Sequence, residues 1–153
     1  MTVKVFEKGR SVKYLQQYDL FRQYLSTYQS ILDPEKCSID FKIHELEVSE
    51  VPSRPIWHYD GTNSAESDPV ARYALALFGD AFSATRFFLD EPSLFSGTER
   101  EIHLIAKKLE DEGREVKYLP FDSWTAYTSR NLHAASPSKT KGTRVLIRLR
   151  EVT

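Results

Sequence analysis

The spacing of hydrophobic residues divides the chain into a helical N-terminal part and a longer part that is rich in strands. Between residues 11 and 32, hydrophobic side chains recur every three or four positions, which lines one face of a helix. They are Leu15, Tyr18, Phe21, Leu25, Tyr28 and Leu32. Asp33-Pro34 ends the pattern, because proline disfavours helix in the residue before it. We therefore predict one supporting helix over residues 11–32, with an aromatic stripe that packs rather than binds a cofactor.

After this helix, residues 39–48 alternate between hydrophobic and polar, as in a half-buried strand, and several later runs are rich in residues that favour strands. The predicted strands cover residues 39–48, 70–78, 85–89, 116–119, 124–128 and 144–152. Gly79-Asp80 separates the second strand from the third and has the composition of a tight turn, so we expect a hairpin there. In the last strand Val145, Ile147 and Leu149 share one face.

A second helix interrupts the strands. Thr98 followed by Glu101 is a capping-box pattern, and Gly113 is suited to end the helix that it opens, so residues 98–113 are predicted to be helical. Many short strands with few helices indicate a sandwich or barrel rather than regular alternation of strands and helices. We expect a single domain over residues 1–153, with its β core in residues 39–152.

Composition narrows the class of protein without identifying it. A chain of 153 residues with 41% hydrophobic and 28% charged residues has the make-up of one globular domain. Its net charge of −1 favours neither nucleic acid nor an anionic membrane as a partner. Cys37 is the one cysteine, which excludes an internal disulfide. Because the N-terminus lacks a signal-peptide pattern and no apolar run has the length of a membrane span, we expect a cytoplasmic protein.

The sequence His58-Tyr59-Asp60 is the first candidate for chemistry. In an extended segment, residues two apart point to the same side, so an imidazole and a carboxylate would face one point. A divalent metal suits such a pair, but taken alone the pair is explained better by a His–Asp hydrogen bond in a loop. His133 offers a third ligand, and two histidines with one carboxylate leave coordination positions open, as in non-haem Fe(II) sites.

Two arginines on the last predicted strand form the second candidate. Arg144 and Arg148 share a face and lie about 13 Å apart at the usual rise of a strand. In an open sheet they would only make a solvated basic face. Inside a barrel with a polar interior, an arginine can bind a carboxylate through two parallel hydrogen bonds.

In combination, His58-Tyr59-Asp60, His133 and Arg144 resemble the H-x-D…H…R pattern of the Fe(II)/2-oxoglutarate-dependent oxygenases. The taurine dioxygenase-like branch is the most similar, because it carries a second arginine four residues after the first, as Arg148 does here. That branch also has a threonine on a strand after the H-x-D, which corresponds to Thr85. The resemblance covers about residues 56–150 and implies a mainly β fold with flanking helices, a double-stranded β-helix or cupin-like jelly-roll barrel.

The resemblance also implies roles for these residues. His58, Asp60 and His133 would be the catalytic metal ligands that bind Fe(II). Arg144 and Thr85 would bind the distal carboxylate of 2-oxoglutarate, and Arg148 would point to the substrate or to the inner carboxylate end. The implied activity is hydroxylation of a small-molecule substrate with release of succinate and CO2. Members of the taurine dioxygenase-like branch are much longer, so their substrate preference is not carried over.

Two other functions agree with the same residues. One is a non-catalytic cupin-like module that binds a small anionic ligand through Arg144 and Arg148. The other is an oxygenase that modifies nucleic acid by flipping a base into its pocket, against which the near-zero net charge argues. The sequence does not define the substrate or the oligomeric state. We interpret His44 and His103 as structural or surface residues. For Trp57, Tyr59 and Trp124 we expect core packing, with lining of the pocket as the alternative.

Overall fold

The computed structural model describes residues 1–29, 32–53, 55–60, 70–88 and 97–151. Within these residues the chain is mainly β, with eight strands and three short α-helices. In chain order they are β1 (Thr2–Arg10), α1 (Val12–Leu15), α2 (Asp19–Leu25), β2 (Cys37–Leu46), β3 (Arg72–Gly79), β4 (Thr85–Phe88), α3 (Glu99–Asp111), β5 (Val116–Tyr118), β6 (Trp124–Thr128), β7 (His133–Ala135) and β8 (Gly142–Glu151). A short 3-10 turn, Pro34–Lys36, precedes β2.

The strands form two antiparallel sheets. The large sheet has the order β1-β2-β8-β3-β6, and the small sheet has the order β5-β4-β7. An isolated bridge between His58 and His133 adds the segment around His58 to the β7 edge of the small sheet. The longest pairing joins β2 to β8, where Asp40 lies opposite Arg148 and His44 opposite Arg144. This register brings polar residues of two distant segments onto one face of the large sheet.

Three hydrophobic clusters hold the two sheets and the helices together. The first joins one face of the large sheet to α1 and α2 and includes Phe21, Phe41 and Ile147. The second packs α3 onto the small sheet through residues such as Ile102 and Leu132. The third joins the two sheets; its buried members are Tyr73, Leu75, Leu77, Phe87, Leu119 and Tyr127. The faces by which the two sheets meet are therefore partly apolar. The polar residues of β2 and β8 lie on this same face of the large sheet.

The prediction of one helix over residues 11–32 was wrong. Ser11 caps α1 by accepting from the backbone N–H of Tyr14, and the chain leaves the helix after Leu15 before restarting at Asp19. Leu15 and Phe21 are both fully buried in the same cluster. The helical spacing persisted across the break because both short helices lie on the same face of the large sheet. Residues 30 and 31 of the predicted helix lie outside the described residues.

The predicted hairpin at Gly79-Asp80 was also wrong, because β3 and β4 belong to different sheets. Gly79 has a φ of +101°, and a Cβ there would lie 2.1 Å from the carbonyl oxygen of Thr143. The backbone N–H groups of Asp80 and Ala81 donate to that same oxygen, and the Asp80 carboxylate accepts from the N–H of Thr143. The glycine is thus needed where the chain passes close to the start of β8 and crosses to the small sheet.

Other predicted elements are confirmed to within a few residues. The helix α3 begins with the predicted capping box between Thr98 and Glu101, and Gly113 after it has a φ of +93°. The strand predictions correspond to β2 to β6 and β8, except that residues 89 and 152 lie outside the described part. The strand β1 was missed, because it is an edge strand whose residues are mostly exposed. No helix among the described residues is long and apolar enough to cross a membrane.

Candidate metal and anion site

The three predicted metal ligands lie together. His58 and His133 are on neighbouring segments, and each donates its backbone N–H to the carbonyl of the other, at 2.9 and 3.0 Å. Asp60 follows His58 by two positions and turns its carboxylate to the same side. His58 Nε2 lies 3.6 Å from Asp60 Oδ1, and His133 Nε2 lies 3.3 Å from Asp60 Oδ2. One ligand atom from each residue lies within 4.8 Å of the other two, so the group can hold a metal ion.

Both imidazole rings are oriented by backbone carbonyls. His58 Nδ1 lies 2.6 Å from the carbonyl oxygen of Ile56, and His133 Nδ1 lies 3.0 Å from that of Asn131. A carbonyl oxygen only accepts hydrogen bonds, so each contact places the ring proton on Nδ1. Each Nε2 then faces Asp60, where it can donate to the carboxylate when it carries a proton and can offer its lone pair to a metal ion when it does not. Metal-binding histidines are held in this way, with the second ring nitrogen donating to a fixed acceptor.

Asp60 is buried, with 8% exposure, and two further side chains hold its carboxylate. The hydroxyl of Tyr127 donates to Asp60 Oδ2, and Arg148 Nη1 donates to the same oxygen at 2.9 Å. Burial alone raises the pKa of Asp60, but hydrogen bonds with His133 and His58 and the charge of Arg148 outweigh it. The pKa of this carboxyl is therefore held well below its usual range. The carboxylate stays ionised at neutral pH, as an oxygen ligand of a metal must be.

We expect Tyr127→Phe to lower the affinity for a divalent metal about 10–100-fold, the usual cost of losing a hydrogen bond to a metal ligand. The ring stays packed against Phe87 and Tyr73, so only the donor to Asp60 is lost. Calorimetric titration with Co(II) measures the affinity. Tyr118→Phe is the matched control, since Tyr118 is exposed on β5. Equal metal affinity in the Tyr127 variant would mean that this tyrosine contributes packing alone.

Arg144 is a buried cation whose surroundings, as far as the structure describes them, hold no acidic partner. It is 3% exposed, and its Nε donates to the carbonyl of Ser83 at 2.8 Å. Among the residues that the structure describes, no carboxylate forms an ion pair with its guanidinium. Burial lowers the pKa of Arg144 to about 10, which still leaves it charged at neutral pH. Because an uncompensated buried charge is costly, this arrangement favours the binding of an anion.

All six predicted site residues line one cavity of about 360 Å³. They are His58, Asp60, Thr85, His133, Arg144 and Arg148. Thr85 is 6% exposed. It is the first residue of β4 and follows the segment in which the chain crosses from the large sheet to the small one. The structure thus places the predicted metal ligands and the predicted anion ligands around the same cavity. Their roles stay predictions.

Arg148 differs from Arg144 in that its charge is compensated. Its guanidinium donates both to Asp60 and to Asp40, which lies opposite it on β2. It also lies 5.7 Å from the ring centroid of Tyr73. In this structure Arg148 therefore orients the carboxylate of the metal group. Its predicted contact with substrate or co-substrate stays a prediction.

Several residues of the cavity were not found from the sequence. Lys42 and His44 line it from β2, and Tyr127 lines it from β6. His44 is 3% exposed, and its Nδ1 has no hydrogen-bond partner within the described ranges, so it is a buried cavity residue and not a surface one. The alternation of β2 did place Asp40 and Lys42 on the face away from the core. That this face meets the arginine face of β8 depends on a pairing between segments about 100 positions apart.

The other residues of interest have structural positions. Trp57 is fully buried in the cluster under α3, and its backbone N–H donates to His103 Nδ1 at 3.1 Å. Trp124 packs against the cluster between the large sheet and its helices. Core packing is therefore confirmed for both tryptophans, and a structural position for His103. Tyr59 belongs to the cluster under α3 and also lines the cavity.

We expect His44 to make the protein less stable as the pH falls from about 6.5 to about 4. Burial, and then the charges of Arg144 and Lys42, lower the pKa of His44 from 6.5 to about 4. Within this window the unfolded chain binds a proton that the folded protein does not, so protonation favours unfolding. His44→Gln should therefore lose roughly 2–3 kcal/mol less stability than the original chain between pH 7 and pH 4.5. Urea unfolding at both pH values measures the difference, and equal losses would contradict it.

Comparisons of the chain with models of known families, with curated proteins and with solved structures found no match. The ligand of the site is therefore inferred from the residues that form it.

Proposed function

We propose that this chain is an Fe(II)/2-oxoglutarate-dependent oxygenase that hydroxylates a small molecule and releases succinate and CO2. One observation carries the proposal: a His–Asp–His group lines the same cavity as a buried arginine that has no counter-ion among the described residues. The first can hold the metal, and the second can hold a carboxylate of the co-substrate.

The order of the strands supports a double-stranded β-helix as the scaffold. If β1 is set aside, the large sheet runs β2-β8-β3-β6, and the small sheet runs β5-β4-β7 followed by the segment around His58. Along the chain these eight segments alternate between the two sheets, apart from the consecutive pair β4 and β5 in the small sheet. A jelly roll is built in this way, from two antiparallel sheets that exchange strands. In such a fold the inner faces of both sheets surround the cavity.

The donor set fits Fe(II). Two imidazole nitrogens and one carboxylate oxygen, all from residues that line the cavity, form the donor set typical of non-haem Fe(II) oxygenases. When bound, the iron and 2-oxoglutarate would supply the activation of dioxygen. The chain's own contribution would be to hold the ligands: Tyr127 and Arg148 fix the Asp60 carboxylate, and two backbone carbonyls fix the imidazole rings.

The distribution of charge fits a dicarboxylate such as 2-oxoglutarate. Arg148 contacts the metal group, and Arg144 lies four residues earlier on the same strand, about 13 Å away along β8. The cavity thus has a metal group at one end and an uncompensated cation at the other. Arg144 would pair with the distal carboxylate, and the Thr85 hydroxyl would donate to the same group. Leu75 and Leu146 also line the cavity and would limit the access of water.

The first experiment is an anaerobic titration of the purified protein with Fe(II) and then with 2-oxoglutarate. The expected result is stoichiometric iron binding followed by the weak visible charge-transfer band of the iron chelate. Succinate release on exposure to oxygen would then be used to screen substrates. Iron binding without the band would indicate a metal site with another ligand, and the absence of iron binding would overturn the proposal.

The uncompensated charge of Arg144 also favours a second candidate, a non-catalytic module that binds a small anion. The contact between Arg144 and an anion needs no metal, because Arg144 and the His–Asp–His group are separate parts of the cavity. This candidate predicts that 2-oxoglutarate or another dicarboxylate binds equally well with and without a chelator. The oxygenase proposal predicts that the chelator weakens the binding, because one carboxylate end then loses its metal.

A further inference from the structure

Two lysines of the large sheet line the cavity and have no part in the proposed metal or co-substrate site. Lys42 comes from β2 and Lys8 from β1. The Lys42 ammonium lies 4.9 Å from the ring centroid of Phe6. In the described part of the chain no carboxylate forms an ion pair with either lysine. Burial lowers the pKa of Lys42, and the charge of Arg148 lowers it further, so this ammonium lies in a positive environment.

The acids near Lys42 are already engaged by other groups. Asp40 Oδ1 accepts from the backbone N–H of Gly9 at 2.8 Å, and Oδ2 accepts from Arg148. Asp60 is engaged by Tyr127 and Arg148. A bound dicarboxylate would balance the metal group and Arg144, and it would leave both lysines without a carboxylate partner among the residues that the structure describes. The wall formed by β1 and β2 thus keeps positive charge after the proposed co-substrate is accounted for.

A second, independent observation comes from His44. It lies two residues after Lys42 on the same face of β2 and is 3% exposed, and no described residue forms a hydrogen bond with its Nδ1. A buried polar atom normally has a partner, so one left without any indicates a group that the cavity receives. The same wall therefore offers two cations and one free polar nitrogen.

We infer that the substrate is a small molecule carrying an anionic group, and that Lys42, assisted by Lys8, binds this group. The inference rests on the proposed function, because it assigns the substrate class of that cavity. Carboxylate, sulfonate and phosphate share the required chemistry. Lys42 pairs with Leu146, between Arg144 and Arg148 on the neighbouring strand. The anionic end of the substrate would thus bind next to β2, whereas the co-substrate would lie along β8 between Arg144 and the metal group.

The test uses inorganic sulfate, inorganic phosphate and acetate as probes of the anion site. The whole chain is loaded with Fe(II) under anaerobic conditions and saturated with 2-oxoglutarate, and each probe is titrated by calorimetry at low ionic strength. At least one probe is expected to bind, and Lys42→Met is expected to weaken its binding at least about 10-fold. Which probe binds best distinguishes the three kinds of anion.

Three comparisons keep the outcome interpretable. Lys42→Arg keeps the charge and should retain binding, whereas Lys107→Met, on α3 and paired with Asp111, should have no effect. The affinity of Lys42→Met for 2-oxoglutarate should be unchanged. The inference is overturned if no probe binds, if Lys42→Met binds the probes as the original chain does, or if this variant loses 2-oxoglutarate instead.

Failure of the oxygenase proposal can be separated from failure of this inference. If the protein binds neither Fe(II) nor 2-oxoglutarate, the same probes are titrated into metal-free Arg144→Met protein, which lacks the other free cation. Binding that still depends on Lys42 would support the anion site without the oxygenase activity. No binding, or binding that does not depend on Lys42, would overturn the anion site as well.

Discussion

Replacement of Asp60 by alanine is expected to lower the affinity for a divalent metal by on the order of 100-fold or more. Loss of a side chain that merely supports a metal ligand already costs about 10–100-fold. Asp60 is the only carboxylate of the His–Asp–His group, so its loss leaves no negative charge in the group to offset the charge of Arg148. Anaerobic titration with Fe(II) or Co(II) measures the effect.

Two other variants serve as comparisons for Asp60→Ala. Asp60→Asn keeps the size of the side chain and an acceptor for Tyr127 but removes the negative charge, so it should also bind metal weakly. Asp111→Ala removes an exposed carboxylate on α3 and should bind metal normally. Stoichiometric and tight metal binding by a folded Asp60→Ala protein would mean that the metal group has been assigned wrongly.

Replacement of Arg144 by methionine is expected to weaken 2-oxoglutarate binding about 100-fold or more and to leave metal affinity unchanged. Loss of one partner of a buried, hydrogen-bonded charge pair costs about 3–5 kcal/mol, which corresponds to a factor of this size. The metal affinity is retained because the contacts of Asp60 come from Tyr127 and Arg148. The charge-transfer band, followed during 2-oxoglutarate titration of the iron-loaded protein, measures the change.

The same substitution is expected to leave the free energy of unfolding of the ligand-free protein unchanged or to increase it. In the empty protein Arg144 is a buried cation whose one described hydrogen bond goes to the carbonyl of Ser83. A methionine of similar length removes the cost of burying that charge. Arg150→Met, an exposed change on the same strand, is the control for both measurements. A marked loss of stability would show that Arg144 serves the fold rather than a ligand.

Much of the secondary structure could be predicted from local pattern. Alternation of residues defined β2 and β8, and the capping box between Thr98 and Glu101 defined the start of α3. The proximity of His58 and Asp60 also follows from local geometry, because residues two apart in an extended segment share a side. In each case the relevant contacts span only a few residues, so the sequence of that segment is sufficient.

Prediction from local sequence pattern failed where the structure of a segment depends on its contacts with a distant part of the chain. Gly79-Asp80 has turn composition, but the partner of this turn is the backbone of Thr143 rather than a neighbouring strand. Helical spacing continued past Leu15 because α1 and α2 pack on one sheet, although the chain turns between them. Local composition does not carry either piece of information.

By itself, the sequence determined which residues have the chemistry to bind a metal and an anion, and it determined the strands and the helix that carry most of them. Only the tertiary structure decided that Arg144 lies buried with no counter-ion in the described part of the chain, whereas Arg148 is neutralised by Asp40 and Asp60. It also decided that Lys42 and His44 line the same cavity. The physical reason is that pairing of β2 with β8 sets which charges meet, and burial between the sheets sets how strongly they interact.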